Sequence, residues 1–231
     1  MAVCNDRSEK RMLSTGQIEQ YHEDGFLLVS GLIPTDTVAD AVDCLWKCLE
    51  LDPFEPETWR DAVPGHCSFE EAKLIDCYTS QYLGAAAQLA GGDDAYHISK
   101  RAYVLPKFPS DDDWSRSGFH IDHSIKDDGY KTFPRAYRIA GMTYLTDVES
   151  HGGATFVWPG SHKKIGELAN SDPEKYEYMW VLGQDVASLE LAEPVEILAK
   201  AGDVLFYPAL CAHAGSMNVC KHPRLALNTK W

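Results

Sequence analysis

At about Tyr96 the chain changes texture, and that change constrains the fold more than any single residue does. Before it, apolar residues recur at helical spacing behind capping residues; after it, short β-favouring runs are punctuated by Gly, Pro and Asp. The runs are Tyr96 to Leu105, Gly118 to Asp122, Tyr137 to Thr146, Ala154 to Trp158, Pro194 to Leu198, Asp203 to Tyr207, Cys211 to Ser216 and Arg224 to Lys230. Ser150-His151-Gly152-Gly153 and Ala201-Gly202 read as turns, and Gly160 to Gln184 as a long excursion with a short helix after Asp172. Strands this short bury an apolar face only by packing on one another. The expected class is therefore α+β with a mainly β core, a barrel or double-sheet jelly roll supported by N-terminal helices.

The N-terminal part supplies those helices. Ser14 with Gln17 has the pattern of a capping box, opening a helix that closes at Gly25, and Phe26 to Val29 reads as a strand. Thr35 is expected to cap a second helix with Val38, Val42, Leu45 and Leu49 on one stripe. Asp52 to Cys67, with Pro53, Pro56 and Pro64, is a connection, and Ser68 with Glu71 suggests a further capped helix running to about Leu89, ended by Gly91-Gly92. The organisation expected is a disordered tail over 1–13 and one domain over 14–231, helical support over 14–92 and β core over 93–231.

Composition narrows the function. No stretch of apolar residues is long enough to span a membrane, and the first ten residues lack the apolar segment of a secretory signal. Seven cysteines without regular spacing argue against a disulfide framework, so a reducing cytoplasmic setting is expected; Cys44 and Cys48 read as packed residues of a helix. A formal net charge of −14 disfavours nucleic acid or an anionic membrane as partner. It leaves room for an anionic small substrate, because a local cationic pocket can oppose the global sign.

Chemistry points to four residues. Read as a strand, Gly118 to Asp122 places His120 and Asp122 on one face, a pleat apart. His213 and Arg224 are read as opposite members of a hairpin turning near Asn218 to Pro223, so both point inward. Two histidines and one carboxylate on one face of an iron leave three positions open, as in non-haem Fe(II) oxygenases. A guanidinium behind them suits a bidentate grip on a carboxylate. A co-substrate with a chelating end and a distal carboxylate is implied, and 2-oxoglutarate fits.

The same residues resemble the Fe(II)/2-oxoglutarate dioxygenases of the phytanoyl-CoA dioxygenase family. Tyr21-His22-Glu23-Asp24-Gly25-Phe26 is similar to the family's opening helix and strand. Gly152-Gly153-Ala154-Thr155-Phe156-Val157-Trp158-Pro159-Gly160-Ser161-His162 is similar to its internal segment. Gly202-Asp203-Val204-Leu205-Phe206, followed by His213 and Asn218, matches its approach to the distal histidine. The resemblance covers roughly 14–231 and implies a double-stranded β-helix of cupin-like kind. It implies that His120, Asp122 and His213 bind Fe(II), that Arg224 holds 2-oxoglutarate, and that O2 is consumed with release of succinate and CO2 as a C–H bond is hydroxylated. An intact Asp122 favours hydroxylation over halogenation. Thr155 falls where some members place a hydroxyl on the co-substrate, and Tyr103 is expected to pack beside it. Gly215 stands where some members have a serine, with Ser216 as a possible replacement.

Other residues are read as bland. His162 is a turn residue, His123 lies on the face away from the metal pair, and Asp111-Asp112-Asp113 is a solvated loop. The loop from Ser124 to Ala136, with Tyr130, Lys131, Phe133 and Arg135 and with Tyr137 just beyond it, is a candidate lid and substrate contact. The function expected is oxidation of a small organic molecule, with the oligomeric state open. Three alternatives stand: an oxygenase modifying a protein or nucleotide side group, a catalytically silent barrel that binds a metal or metabolite, and a cupin-like zinc or manganese enzyme.

Overall fold

The computed structural model describes residues 12–59, 67–92 and 100–231. Most of the expected tail, the end of the connection to Cys67 and the start of the run from Tyr96 lie outside them. The first helix, α1 (Thr15–Asp24), has both halves of its capping box: Ser14 Oγ accepts from the Gln17 N–H and the Gln17 side chain from the Ser14 N–H. Gly25 closes it at φ 78°, a conformation open to glycine, and a Cβ there would run into the His162 ring.

Helix α2 (Thr35–Leu49) buries Val38, Ala41 and Leu45. Thr35 is its first helical residue and not its cap; Pro34 occupies the cap, with no side-chain hydrogen bond. The single helix expected from Ser68 to Leu89 is broken. Cys67–Phe69 is a strand, β2, paired with β3 (Ala102–Val104); α3 (Ala72–Ile75) stops at Asp76, and α4 (Ser80–Ala90) starts afresh with Thr79 Oγ1 accepting from the Tyr82 N–H. Cross-strand pairing of Ser68 outweighed its local capping pattern, and Thr79 supplied the helix start.

The strands form two sheets. The larger is built from β1 (Leu27–Val29), β2, β3, β4 (Ile139–Tyr144), β7 (Val204–Pro208) and β9 (Ala226–Lys230), in the order β1-β7-β4-β9-β3-β2. The smaller has the order β6-β5-β8, from β5 (Thr155–Val157), β6 (Val195–Ile197) and β8 (His213–Gly215). Every named pairing is antiparallel. One face of the large sheet packs Val204, Phe206 and Leu227 against Val38, Leu45 and Tyr82 of the N-terminal helices. Its other face packs Met142, Tyr144, Leu205 and Tyr207 with Val157 and Ile197 of the small sheet. Being covered on both faces, β4 is buried at all six positions. The architecture is the expected double-stranded β-helix, a jelly roll of two facing sheets and not a closed barrel.

Two local expectations are corrected. The Gly160 to Gln184 excursion has the expected short helix after Asp172, α6 (Met179–Val186), but a further helix, α5 (Ser161–Ser171), precedes it, and the two bury Ile165 and Leu182 against the core between the sheets. Ala201-Gly202 is the expected turn, but it does not join partners within one sheet, since the chain crosses there from the small sheet to the large one. Nor do β8 and β9 form a hairpin: His213 lies in the small sheet, whereas Arg224 bridges Lys107 beside the large one. Among the described residues no helix is long and apolar enough to cross a membrane.

Candidate active site

Gly118 to Asp122 is not the continuous strand expected. His120 alone meets His213 in an antiparallel bridge, each N–H donating to the other's carbonyl at 3.0 Å, and the chain then turns through His123 at φ 61°. The outcome for the side chains is nevertheless convergence. One ligand atom from each of His120, Asp122 and His213 lies within 4.8 Å of the others. The two imidazole rings are 4.4 Å apart between centroids, and His213 Nε2 is 3.7 Å from Asp122 Oδ1.

The surroundings prepare these atoms for a cation. His213 Nδ1–H donates to the Cys211 carbonyl at 2.9 Å, which orients the ring with Nε2 toward Asp122. Burial, with the charges of His213 and Lys230, pushes the His120 imidazole down to about 4 against the opposing pull of Asp122. For Asp122, burial raises the carboxyl, but His213, Lys230 and the Tyr137 hydroxyl outweigh it and hold the group at about 2. Its Oδ2 accepts from Tyr137 Oη at 2.9 Å and its Oδ1 lies 3.1 Å from Lys230 Nζ. At neutral pH the cluster thus offers an ionised carboxylate and an uncharged His120. Together with Nε2 of His213, this donor set suits a divalent transition metal held on one face.

Arg224 lies in the same cavity, 4% exposed. Its Nη2 donates to the Leu105 carbonyl at 3.1 Å and its Nη1 approaches the Met142 sulfur at 3.8 Å, while Nε is buried without a partner. Among the described residues no carboxylate pairs with this guanidinium, and burial pushes its pKa down. A buried cation with an unmet donor fits an incoming carboxylate. Lys107, whose backbone exchanges hydrogen bonds with that of Arg224 at 2.8 and 2.9 Å, adds a second cation at this end. Arg224 and His213 face a common space across the two sheets, not as hairpin partners.

The cavity encloses about 820 Å³, and the six residues singled out from the sequence, His120, Asp122, His213, Arg224, Thr155 and Tyr103, all line it. Thr155 is buried, with Oγ1 3.4 Å from the Met142 sulfur. Tyr103 stands half-exposed at the mouth, in register with Asn228 on β9. Ser216 does not replace a co-substrate serine, because its hydroxyl donates to the Ala154 carbonyl at 3.0 Å and it does not line the cavity. His123, expected to face away, lines the cavity with its ring stacked on Tyr130 at 4.1 Å. Tyr137 was expected only as a loop-side contact, and Lys230 was missed altogether. Alternation along β9 carries part of the signal, for Asn228 and Lys230 are two apart and both line the cavity, while Arg224 reaches it from the segment before that strand. From the loop after Ser124, Tyr130 reaches the cavity, while Lys131 is tied outside to Glu177 at 2.9 Å.

The sequence profile of the phytanoyl-CoA dioxygenase (PhyH) family matches residues 21–226. The chain is similar to the ectoine dioxygenase of Streptomyces coelicolor, 26% identical over 232 residues, which cover 92% of this chain and 75% of that protein. The ectoine dioxygenase of Bordetella bronchiseptica is likewise 26% identical, covering 92% and 73%. Among solved structures, EctD from S. alaskensis superposes with a TM-score of 0.65 at 16% identity, covering 96% of this chain and 77% of that one. The non-haem α-ketoglutarate-dependent carbocyclase SnoK from nogalamycin biosynthesis does so with 0.64 at 18% identity, covering 94% and 82%. These two structures share the fold.

Proposed function

Because the chain belongs to the phytanoyl-CoA dioxygenase family, we propose that it is an Fe(II)- and 2-oxoglutarate-dependent dioxygenase of a small organic molecule, with His120, Asp122 and His213 as iron ligands and Arg224 as the anchor of the co-substrate's far carboxylate. The observation that carries this reading is the convergence, in one cavity, of a two-imidazole, one-carboxylate cluster and a buried guanidinium lacking an anion. Iron, 2-oxoglutarate and O2 together supply the oxidation of a C–H bond, with release of succinate and CO2.

The chain's own residues bind and orient. The Cys211 carbonyl aims the Nε2 of His213, and Tyr137 and Lys230 keep Asp122 ionised and in place. Arg224 offers a planar, fixed pair of donors to a carboxylate, with Lys107 lending a second positive charge. Thr155, whose Oγ1 lies 3.4 Å from the Met142 sulfur, and the half-exposed Tyr103 both line the cavity, which supports a hydroxyl contact to the co-substrate from the first and packing beside it from the second. Similarity to enzymes named ectoine dioxygenases supports a small-molecule substrate.

The test is succinate release from 2-oxoglutarate under air across a metabolite panel. Release should require Fe(II) and be abolished in His120→Ala and Asp122→Ala with the fold intact by circular dichroism. Arg224→Ala should raise the KM for 2-oxoglutarate at least about tenfold, the loss of one charge-assisted carboxylate contact. Undiminished release by either ligand variant, or full activity with Zn(II) in place of Fe(II), would overturn the assignment.

A further inference from the structure

The chain carries a formal charge of −14, yet the cavity opposes that sign. Lys107, Arg224 and Lys230 line it against two carboxylates, Asp122 and Asp128, and Asp128 stands on the exposed rim. A divalent metal would add two positive charges and 2-oxoglutarate two negative ones, so the surplus survives loading. Arg224 and Lys107 sit together at one end of the cavity, where the co-substrate's carboxylate is placed. Lys230 is the cation beside the metal cluster itself.

Its position is specific. Lys230 Nζ lies 3.1 Å from Asp122 Oδ1, and Asp122 is its ion-pair partner among the described residues. The ammonium also stands 5.4 Å from the centroid of the Tyr137 ring, and its side chain is 27% exposed. Once Asp122 shares its charge with a metal, the lysine has only part of a counter-ion left, in a half-desolvated place that favours a new anion. Further out, Ile125, Tyr130 and Tyr103 are exposed at 63%, 39% and 50%, giving the mouth an apolar and aromatic rim.

We propose that Lys230 is a specificity-determining residue that selects a small carboxylic acid as substrate, its ammonium holding the acid group beside the metal while the rim receives the apolar body. This rests on the iron and 2-oxoglutarate reading of the same cavity. It fixes the chemical class of the substrate: the acid is preferred to an uncharged molecule of the same shape.

Binding is measured by calorimetry on the protein loaded with Mn(II) and saturated with 2-oxoglutarate, so that acids cannot occupy the co-substrate's place. The probes are matched pairs of an acid and its primary amide: benzoate and benzamide, cyclohexanecarboxylate and its amide, phenylacetate and its amide. The acid should bind at least about tenfold more tightly than its amide in one pair or more, the scale of one charge-assisted hydrogen bond. Lys230→Gln should bring that ratio to about one, and Lys230→Arg should keep most of it, each variant being titrated first with Mn(II) and 2-oxoglutarate and then held at concentrations that saturate it, because Lys230 also supports Asp122. No acid exceeding its amide in the wild type, or an undiminished ratio in Lys230→Gln, would overturn the proposal. Failure of 2-oxoglutarate to bind the Mn(II) form, seen before any probe is added, would instead overturn the reading beneath it.

Discussion

Asp122 shows how much of a ligand's behaviour comes from the groups behind it. One of its oxygens is held by the Tyr137 hydroxyl at 2.9 Å and the other by Lys230 at 3.1 Å, so its direction is set before any metal arrives. Tyr137→Phe removes one of these and leaves a buried ring of the same shape. It should weaken Mn(II) binding about tenfold or more, the range for lost outer hydrogen bonds at metal ligands, with unchanged circular dichroism; an affinity equal to wild type in calorimetry would show that Tyr137 only packs. His120 gives a pH prediction. Its ordinary value of 6.5 falls to about 4 in the folded chain, chiefly through burial. The unfolded chain therefore takes up a proton first as pH falls, and the metal-free protein loses stability between about 6.5 and 4, while the contribution is fully present above that window. Urea unfolding of His120→Gln should show a flatter decline across the same interval, and an identical slope would refute the assignment. The residues that carry charge or lone pairs to a metal were legible because few residue types can do that work. Those that steer them were not: Tyr137 read as one loop-side aromatic among several, and His123 was misplaced because a turn at φ 61° replaced the strand on which its face was judged.

Elements fail or hold according to whether their cause is local. Helix α1 was legible to the residue, since Ser14, Gln17 and Gly25 satisfy its ends within the segment. The false hairpin of β8 and β9, and the false helix start at Ser68, both came from local patterns overruled by partners distant in sequence. Gly141 shows such a partner acting on one position. It lies in the fully buried β4, where a Cβ would come within 2.1 Å of the Tyr82 hydroxyl of α4. The glycine is there because the helix presses its tyrosine onto the sheet. Gly141→Ala should then cost about 2 kcal/mol or more by overpacking, read as a fall in the urea midpoint. In a Tyr82→Phe background the same substitution should cost less, because the colliding atom is gone, giving a coupling of about 1 kcal/mol in a double-mutant cycle. Additive costs would mean that the two residues do not meet.

At the scale of the molecule, the site exists only because two sheets face each other. His213 and Thr155 come from the small sheet, Lys230 from β9 of the large one, Arg224 from the segment leading into β9, and His120 and Asp122 from a segment bridged to β8. Local periodicity gave strands that must pack, but not which strands share a sheet, since the register of β4 with both β7 and β9 spans most of the chain's C-terminal half. A ligand touching both sheets binds the folded arrangement and not the unfolded chain, so occupancy must appear as stability of the whole. At a hundredfold excess over Kd each such ligand contributes about 2.7 kcal/mol. For a chain of this size each kcal/mol raises Tm by about 2–4 °C, so Mn(II) alone should raise it by about 5–10 °C and 2-oxoglutarate should add a comparable step. Scanning calorimetry separates the parts: His213→Ala should lose both steps, whereas Arg224→Ala should keep the metal step and lose most of the co-substrate step. If 2-oxoglutarate stabilised Arg224→Ala as fully as the wild type, the carboxylate would be held elsewhere, and the cation opposite the metal cluster would have no part in joining the two halves of the core.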